Sequence, residues 1–202
     1  MLHTRSGLGV LEFSEASWYA SQGFVAYAPD YFSPIGVTPS TFDRQTFTAT
    51  YTNAVVDHLA RAVDCLGTLA GVDRARISAV GYSMGGYIAL VLATRPGIAA
   101  AAGWYAAYAG APVNFVPAQQ DWSAIAAAVR VPVLLLHGDA DIDVRIEFAR
   151  RAESELERFG KRTQLIVYPG VGHAYAGGTT SRDAAATADS RARTIALLRS
   201  VP

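Results

Sequence analysis

The feature that most restricts the fold is a rhythm. Short apolar runs without polar alternation recur along the 202 residues, and between them lie stretches with helical periodicity. FVAYAP (Phe24–Pro29), RISAVGY (Arg76–Tyr82), IAAAAGWY (Ile98–Tyr105), VPVLLLHG (Val131–Gly138) and TQLIVYP (Thr163–Pro169) are the short runs. Runs of this kind suit strands covered on both faces. A helix is predicted over Phe13–Gln22, stopped by Gly23. A second over Asn53–Ala70 carries Val55, Val56, Leu59, Val63, Leu66 and Leu69 on one stripe, with Gly71 after it. A third, Ile146–Phe159, has Glu147/Arg151 and Arg151/Glu155 at i,i+4 spacing and ends at Gly160; a fourth, Asp183–Arg199, closes the chain. The rhythm predicts an α/β fold, a doubly wound, mostly parallel sheet with helices on both faces. The length fits one domain, 1–202. Ligands of such sheets sit at the carboxyl ends of strands.

Charge and cysteine content exclude several functions. Lys plus Arg and Asp plus Glu both number 17, so the balance gives no reason to expect nucleic acid or an anionic membrane as partner. Pro96–Gln120 lacks any Asp, Glu, Lys or Arg, but its prolines, amides and Ala/Gly-rich apolar part favour a buried strand and loop over a membrane helix. The single cysteine, Cys65, rules out an intramolecular disulfide and a cysteine-based metal cluster. Met1–Val10 has no apolar core of a secretion leader, so a cytoplasmic location is expected. Of the other histidines, His58 lies off its helix's apolar stripe and His137 suits a structural hydrogen bond; the set has no metal-ligand spacing, and no metal or cofactor is expected. Two long loops, Asp30–Thr52 and Ala106–Asp121, leave carboxyl strand ends. Tyr31, Phe32, Trp104, Tyr105, Tyr108 and Tyr175 are the expected walls of a substrate pocket.

The chemistry concentrates at RISAVGYSMGGYIALVLA (Arg76–Ala93), a strand, one hydroxyl, then a helix. Gly81-Tyr82-Ser83-Met84-Gly85 is a G-x-S-x-G turn, in which side chains at the flanking glycines would strike backbone. The turn lifts the Ser83 hydroxyl above the sheet at a helix N-terminus, and the Met84 backbone N–H is expected to face a developing oxyanion. Such a turn also arises by chance, so the partners decide. His137-Gly138-Asp139-Ala140-Asp141 follows one predicted strand and Pro169-Gly170-Val171-Gly172-His173 follows the next. The order Ser, Asp, His, each just past a carboxyl strand end, is that of α/β-hydrolases. His173 is the expected base. Asp139, Asp141 and Asp143 share the acid's loop; Asp139 could instead pair locally, and Asp143 could cap the next helix.

Through GFVAYAPDYF, GVDRARISAVGYSMGG, HGDADIDV and YPGVGHAYAG the chain resembles the dienelactone hydrolase family of α/β-hydrolases. The resemblance implies that the acid is Asp141, at a G-x-x-D step, and the base His173. It also implies a second oxyanion N–H from the loop Leu2–Gly7, with Arg5 the best match. Founding members use cysteine where this chain has Ser83, and grip a substrate carboxylate with arginine where it has Gly177. The expectation is therefore a cofactor-free serine esterase of small neutral esters or lactones. A peptidase or acyltransferase on this fold, or a non-catalytic binding module, is the alternative. The family sheet has two strands before the one ending in the oxyanion loop, and Met1–Thr4 would be the end of that third strand. An N-terminal truncation is thus expected, and a form longer by about 30–50 residues should be more stable and more active.

Overall fold

The structure, a computed structural model, describes residues 1–43, 47–108 and 122–202. Among these, β1 (Ala79–Tyr82), β2 (Ala101–Trp104), β3 (Val133–Gly138) and β4 (Thr163–Tyr168) form one sheet in chain order. Every pairing is parallel, and Tyr82 stands beside Trp104 and Trp104 beside Leu136. Parallel neighbours need crossovers. The helices Met84–Leu92, Trp122–Ala128 and Ile146–Arg158 lie between successive strands. In chain order the helices are α1 (Val10–Ser21), α2 (Thr52–Leu66), α3 (Met84–Leu92), α4 (Trp122–Ala128), α5 (Ile146–Arg158) and α6 (Ser181–Ser200).

Residue parity sorts the two faces. Val80, Tyr82, Ala102, Trp104, Leu134 and Leu136 pack with Tyr19 of α1 and Leu198 of α6. On the opposite face Ala79 packs with α2 and α3, while Val133 and Leu135 pack with α4 and α5. The first three strands are wholly buried. That is the double winding the apolar runs imply.

Several boundaries differ from the sequence expectation, each for a local reason. Helix α1 starts at Val10, because the Glu12 carboxylate reaches back to accept the Gly9 N–H at 3.0 Å. Helix α6 starts at Ser181, where Thr180 and Asp183 cap each other at 3.1 Å in both directions. Helix α2 ends at Leu66 and Gly67 serves as its C-cap. The larger correction concerns Phe24–Pro29, which forms no strand. A strand needs a partner ladder. Among the described residues the sole main-chain bond to its residues 25–28 is from the Met1 amine to the Tyr27 carbonyl, 2.6 Å. Val25 and Tyr27 are 63% and 47% exposed, so the run is covered on one face only.

Leu2 lies against β1 in a single parallel bridge to Gly81. The loop Asp30–Thr52 holds a short 3₁₀ turn, Ser33–Ile35, and a π-helical turn, Phe47–Tyr51. Most of the loop Ala106–Asp121, from 109 onward, lies outside the described residues. No helix of the described residues is long and apolar enough to cross a membrane.

Candidate active site

The corner between β1 and α3 carries Ser83 at φ 51°, ψ −113°, a left-handed conformation that costs a side-chain-bearing residue on the order of 1–3 kcal/mol. Its neighbours fix it there. A Cβ on Gly81 would collide with the Gly85 carbonyl, and one on Gly85 with the Leu2 carbonyl. Strand, helix and N-terminal segment therefore meet backbone to backbone, which only glycine permits. Ser83 is 8% exposed. The Met84 amide, first in α3, has no acceptor among the described residues.

Ser83 Oγ lies 2.9 Å from His173 Nε2, and His173 Nδ1 lies 2.6 Å from Asp141 Oδ2. With Nδ1–H donating to the carboxylate, Nε2 is the acceptor for the serine proton. His173 stands in the loop after β4, and Asp141 in the loop after β3. Of the three aspartates considered, the structure brings Asp141 alone to His173. Asp139 Oδ1 instead accepts the Gly170 N–H at 2.6 Å, and Asp143 is exposed and caps no helix.

Asp141 is buried and heavily partnered. Its Oδ1 accepts the amides of Asp143 and Val144, at 2.9 and 2.8 Å. His137 Nε2 is 3.3 Å from Oδ2 and donates to the Val144 carbonyl at 2.8 Å. Burial by itself pushes the Asp141 carboxyl up. Hydrogen bonds from His137, His173 and the Val144 amide, with the charge of His173, outweigh it and hold the group well below the carboxylate range.

Arg5 is exposed, in the tight turn Thr4–Gly7 closed by a 3.1 Å bond from the Gly7 amide to the Thr4 carbonyl. Three buried side chains that composition and motif did not single out for this task hold that turn. Glu12, 2% exposed, accepts the Thr4 amide at 3.2 Å. His3 stacks on Tyr31 with ring centroids 3.7 Å apart, and its Nδ1 donates to the Thr4 carbonyl at 2.8 Å. Tyr31 Oη donates to the His3 carbonyl at 2.6 Å. Burial, the largest influence, lowers the His3 pKa against the partial support of Thr4, Glu12 and Asp30. A signal for Glu12 existed in the sequence: Glu12 and Glu15 are three apart and share a helix face, which here points inward.

The aromatic residues expected as pocket walls are all buried, at 2% exposure or less. Tyr105 stays at the site, its ring edge-on to His173 at 5.1 Å. Tyr108 packs on Trp122 and His137. Tyr31 and Phe32 belong to the aromatic cluster around Phe47. Trp104 and Tyr175 depart from the expectation: they pack with α6, where the Trp104 indole donates to Thr194 Oγ1 at 3.1 Å and Tyr175 Oη bonds Ser190 Oγ at 2.9 Å. Packing claims them because they share the sheet face that α6 covers. A Cβ at Gly177 would meet nothing within 4 Å. Among the described residues no group of three His, Cys, Asp or Glu is placed to hold a metal.

A parallel sheet with helices on both faces and a strained serine at a strand–helix corner is the α/β-hydrolase architecture. Within that class the chain belongs to the dienelactone hydrolase family, whose sequence profile matches residues 3–201. A Methylorubrum extorquens protein provisionally named a carboxymethylenebutenolidase is 28% identical over 162 residues, covering 77% of this chain and 55% of that protein. An Escherichia coli K12 protein of the same provisional name is 29% identical over 161 residues, covering 77% and 59%. The chain thus spans a little over half the length of the curated relatives it matches. The crystal structure of a provisionally named dienelactone hydrolase from Klebsiella pneumoniae superposes with TM-score 0.83 at 21% identity, covering 98% of this chain and 85% of that one. A dienelactone hydrolase-like promiscuous phosphotriesterase from metagenomic libraries gives TM-score 0.75 at 21% identity, covering 99% and 84%.

Proposed function

We propose that this protein is a serine hydrolase that cleaves small carboxylic ester or lactone bonds through an acyl-enzyme on Ser83. The observation that carries the reading is the relay Ser83 Oγ to His173 Nε2 at 2.9 Å and His173 Nδ1 to Asp141 Oδ2 at 2.6 Å. Ser83 Oγ attacks the carbonyl carbon while its proton passes to Nε2. Asp141 holds the tautomer and balances the imidazolium. The oxyanion is met by the Met84 N–H, with Arg5 N–H as the proposed second donor. Nε2 returns the proton to the leaving alkoxide, and water repeats the sequence on the acyl-enzyme. Stoichiometric labelling of Ser83 by a fluorophosphonate probe is expected, and Ser83→Ala should fold normally while losing on the order of 10⁴-fold or more in kcat. Ester hydrolysis by Ser83→Ala near the wild-type rate would refute the reading.

The substrate class follows from charge. Gly177 leaves open space where the family's anion-gripping arginine would project. Short neutral acyl esters are therefore the proposed substrates, ahead of carboxylated lactones. In a panel of both, kcat/KM should favour a short p-nitrophenyl ester, and Gly177→Arg should shift the ratio toward the carboxylated lactone. A wild-type preference for the dienelactone would overturn the assignment and point to the exposed Arg5 side chain as the clamp.

A further inference from the structure

One imidazole stands among the apolar side chains on the α4 and α5 side of the sheet. Strand parity turns His137 of β3 to the same face as Val133 and Leu135. Its ring lies 5.9 Å from that of Tyr108, which packs in turn on Trp122. The side chain is wholly buried, and an imidazole in such a place needs hydrogen bonds to offset its burial. His137 finds them on one side of the ring. Nε2 lies 2.8 Å from the Val144 carbonyl and 3.3 Å from Asp141 Oδ2, whereas Nδ1 has no partner among the described residues. Both neighbours of Nε2 are acceptors, so Nε2 carries the hydrogen and shares it between them.

These bonds close a small circuit around the acid. Asp141 Oδ1 accepts the Asp143 and Val144 amides, and the Val144 carbonyl accepts from His137. Among the described residues, the segment 142–144 is hydrogen-bonded through Asp141 and His137 alone. A carboxylate offers about four lone-pair sites. The two amides take those of Oδ1, while His137 and His173 share Oδ2. Without His137, the Val144 carbonyl loses its donor in the core. Oδ2 is then held only by His173, the ring whose charge changes in each turnover.

We propose that His137 is a positioning residue of the catalytic relay: its Nε2–H fixes the Asp141 carboxylate and the Val144 carbonyl against one another, so that Oδ2 stays aimed at His173 Nδ1. Its effect on rate rests on the acyl-enzyme reading; its hold on Asp141 rests on the hydrogen bonds alone. His137 bonds neither Ser83 nor His173 and acts through Asp141. A histidine that only filled the core would matter to stability and leave the relay untouched.

The test compares wild type with His137→Gln and His137→Met. The glutamine amide can donate to the same two oxygens; methionine fills a similar volume and donates nothing. At a temperature well below every Tm, His137→Met should lower kcat for a short p-nitrophenyl ester by about 10²-fold, with KM nearly unchanged. His137→Gln should recover most of that loss. A kcat for His137→Met near the wild-type value overturns the proposal, as do equal losses in both variants, which packing alone would give. Proton and nitrogen NMR supply a readout that needs no turnover. The His173 Nδ1–H signal should be sharp in wild type and His137→Gln, and broaden or vanish in His137→Met. The same signal unchanged in His137→Met overturns the proposal. Where His137→Met fails to fold, the wild-type ring decides: a hydrogen on Nε2 supports the assignment, and one on Nδ1 in its place overturns it. A wild type that neither hydrolyses the ester nor labels at Ser83 with the fluorophosphonate counts against the acyl-enzyme reading instead, and the NMR comparison still decides whether His137 holds Asp141.

Discussion

Asp141 is a carboxylate shared between two histidines, and its sub-normal pKa decides how the site responds to acid. A folded pKa below the ordinary 3.8 means the group adds stability fully present above about pH 4, lost as pH falls further. The Tm difference between wild type and Asp141→Asn should therefore be widest near neutral pH and shrink below pH 4 in scanning calorimetry. A gap unchanged down to about pH 3 would show that the carboxylate is not the stabilised species. The same substitution should lower kcat by up to about 10⁴-fold, because an amide favours the wrong imidazole tautomer. Asp139→Asn should cost far less, since Asp139 holds the Gly170 amide rather than His173. The serine and histidine were legible in the sequence because a G-x-S-x-G corner and a loop histidine each follow an apolar run. Among the three aspartates the residues alone left the choice open, since spacing along a loop does not say which carboxylate turns inward. Strain was less legible still. Ser83, Tyr105 and Ala174 are the non-glycine residues with positive φ among those described. Tyr105 packs on the His173 ring and Ala174 follows His173. Backbone strain is thus gathered at the site, where the surrounding packing holds it.

Helices α1 and α6 show where element-level reading succeeds and fails. Their existence follows from periodicity, but the contact between them does not. Glu15 of α1, 1% exposed, takes the Arg191 guanidinium of α6 at 2.5 Å and the Tyr82 hydroxyl at 3.0 Å. Arg191 also lies over the Trp18 ring at 4.8 Å, so the charged side of α6 is not wholly in water. Arg191→Met strands a buried carboxylate and should cost about 3–5 kcal/mol in urea unfolding. Adding Glu15→Gln should restore a large part of that loss, because the hydroxyl bond from Tyr82 survives and no charge is left unpaired. A single-mutant loss below about 1 kcal/mol would mean that solvent reaches Glu15. The strand runs were legible for the same reason that one failed. Composition reports burial, and β1 to β4 are strands because neighbours complete them. Phe24–Pro29 has the composition and lacks the neighbour.

At the scale of the whole molecule, α1 and α6 form one layer over a shared sheet face. Besides the Glu15–Arg191 pair, Arg199 donates to the Gln22 carbonyl at 3.2 Å and lies over the Phe24 ring at 5.9 Å. Leu198 shares a cluster with Val80, Tyr82, Trp104 and Leu134. A chain ending at Gly178 should therefore be rapidly cut by a nonspecific protease, while the full chain resists; resistance of the shorter chain would show that the sheet closes without α6. Proteins are made from one end. A helix near the start of this chain whose ion-pair partner lies in residues 181–200 waits for that partner while the ribosome works, however early it emerges. The part of that sheet face which α6 covers is completed only after residues 181–200 leave the exit tunnel. Until then the nascent chain is open to chaperones and proteases, and a frameshift that alters residues 181–200 removes the partner of Glu15 as surely as a mutation in α1.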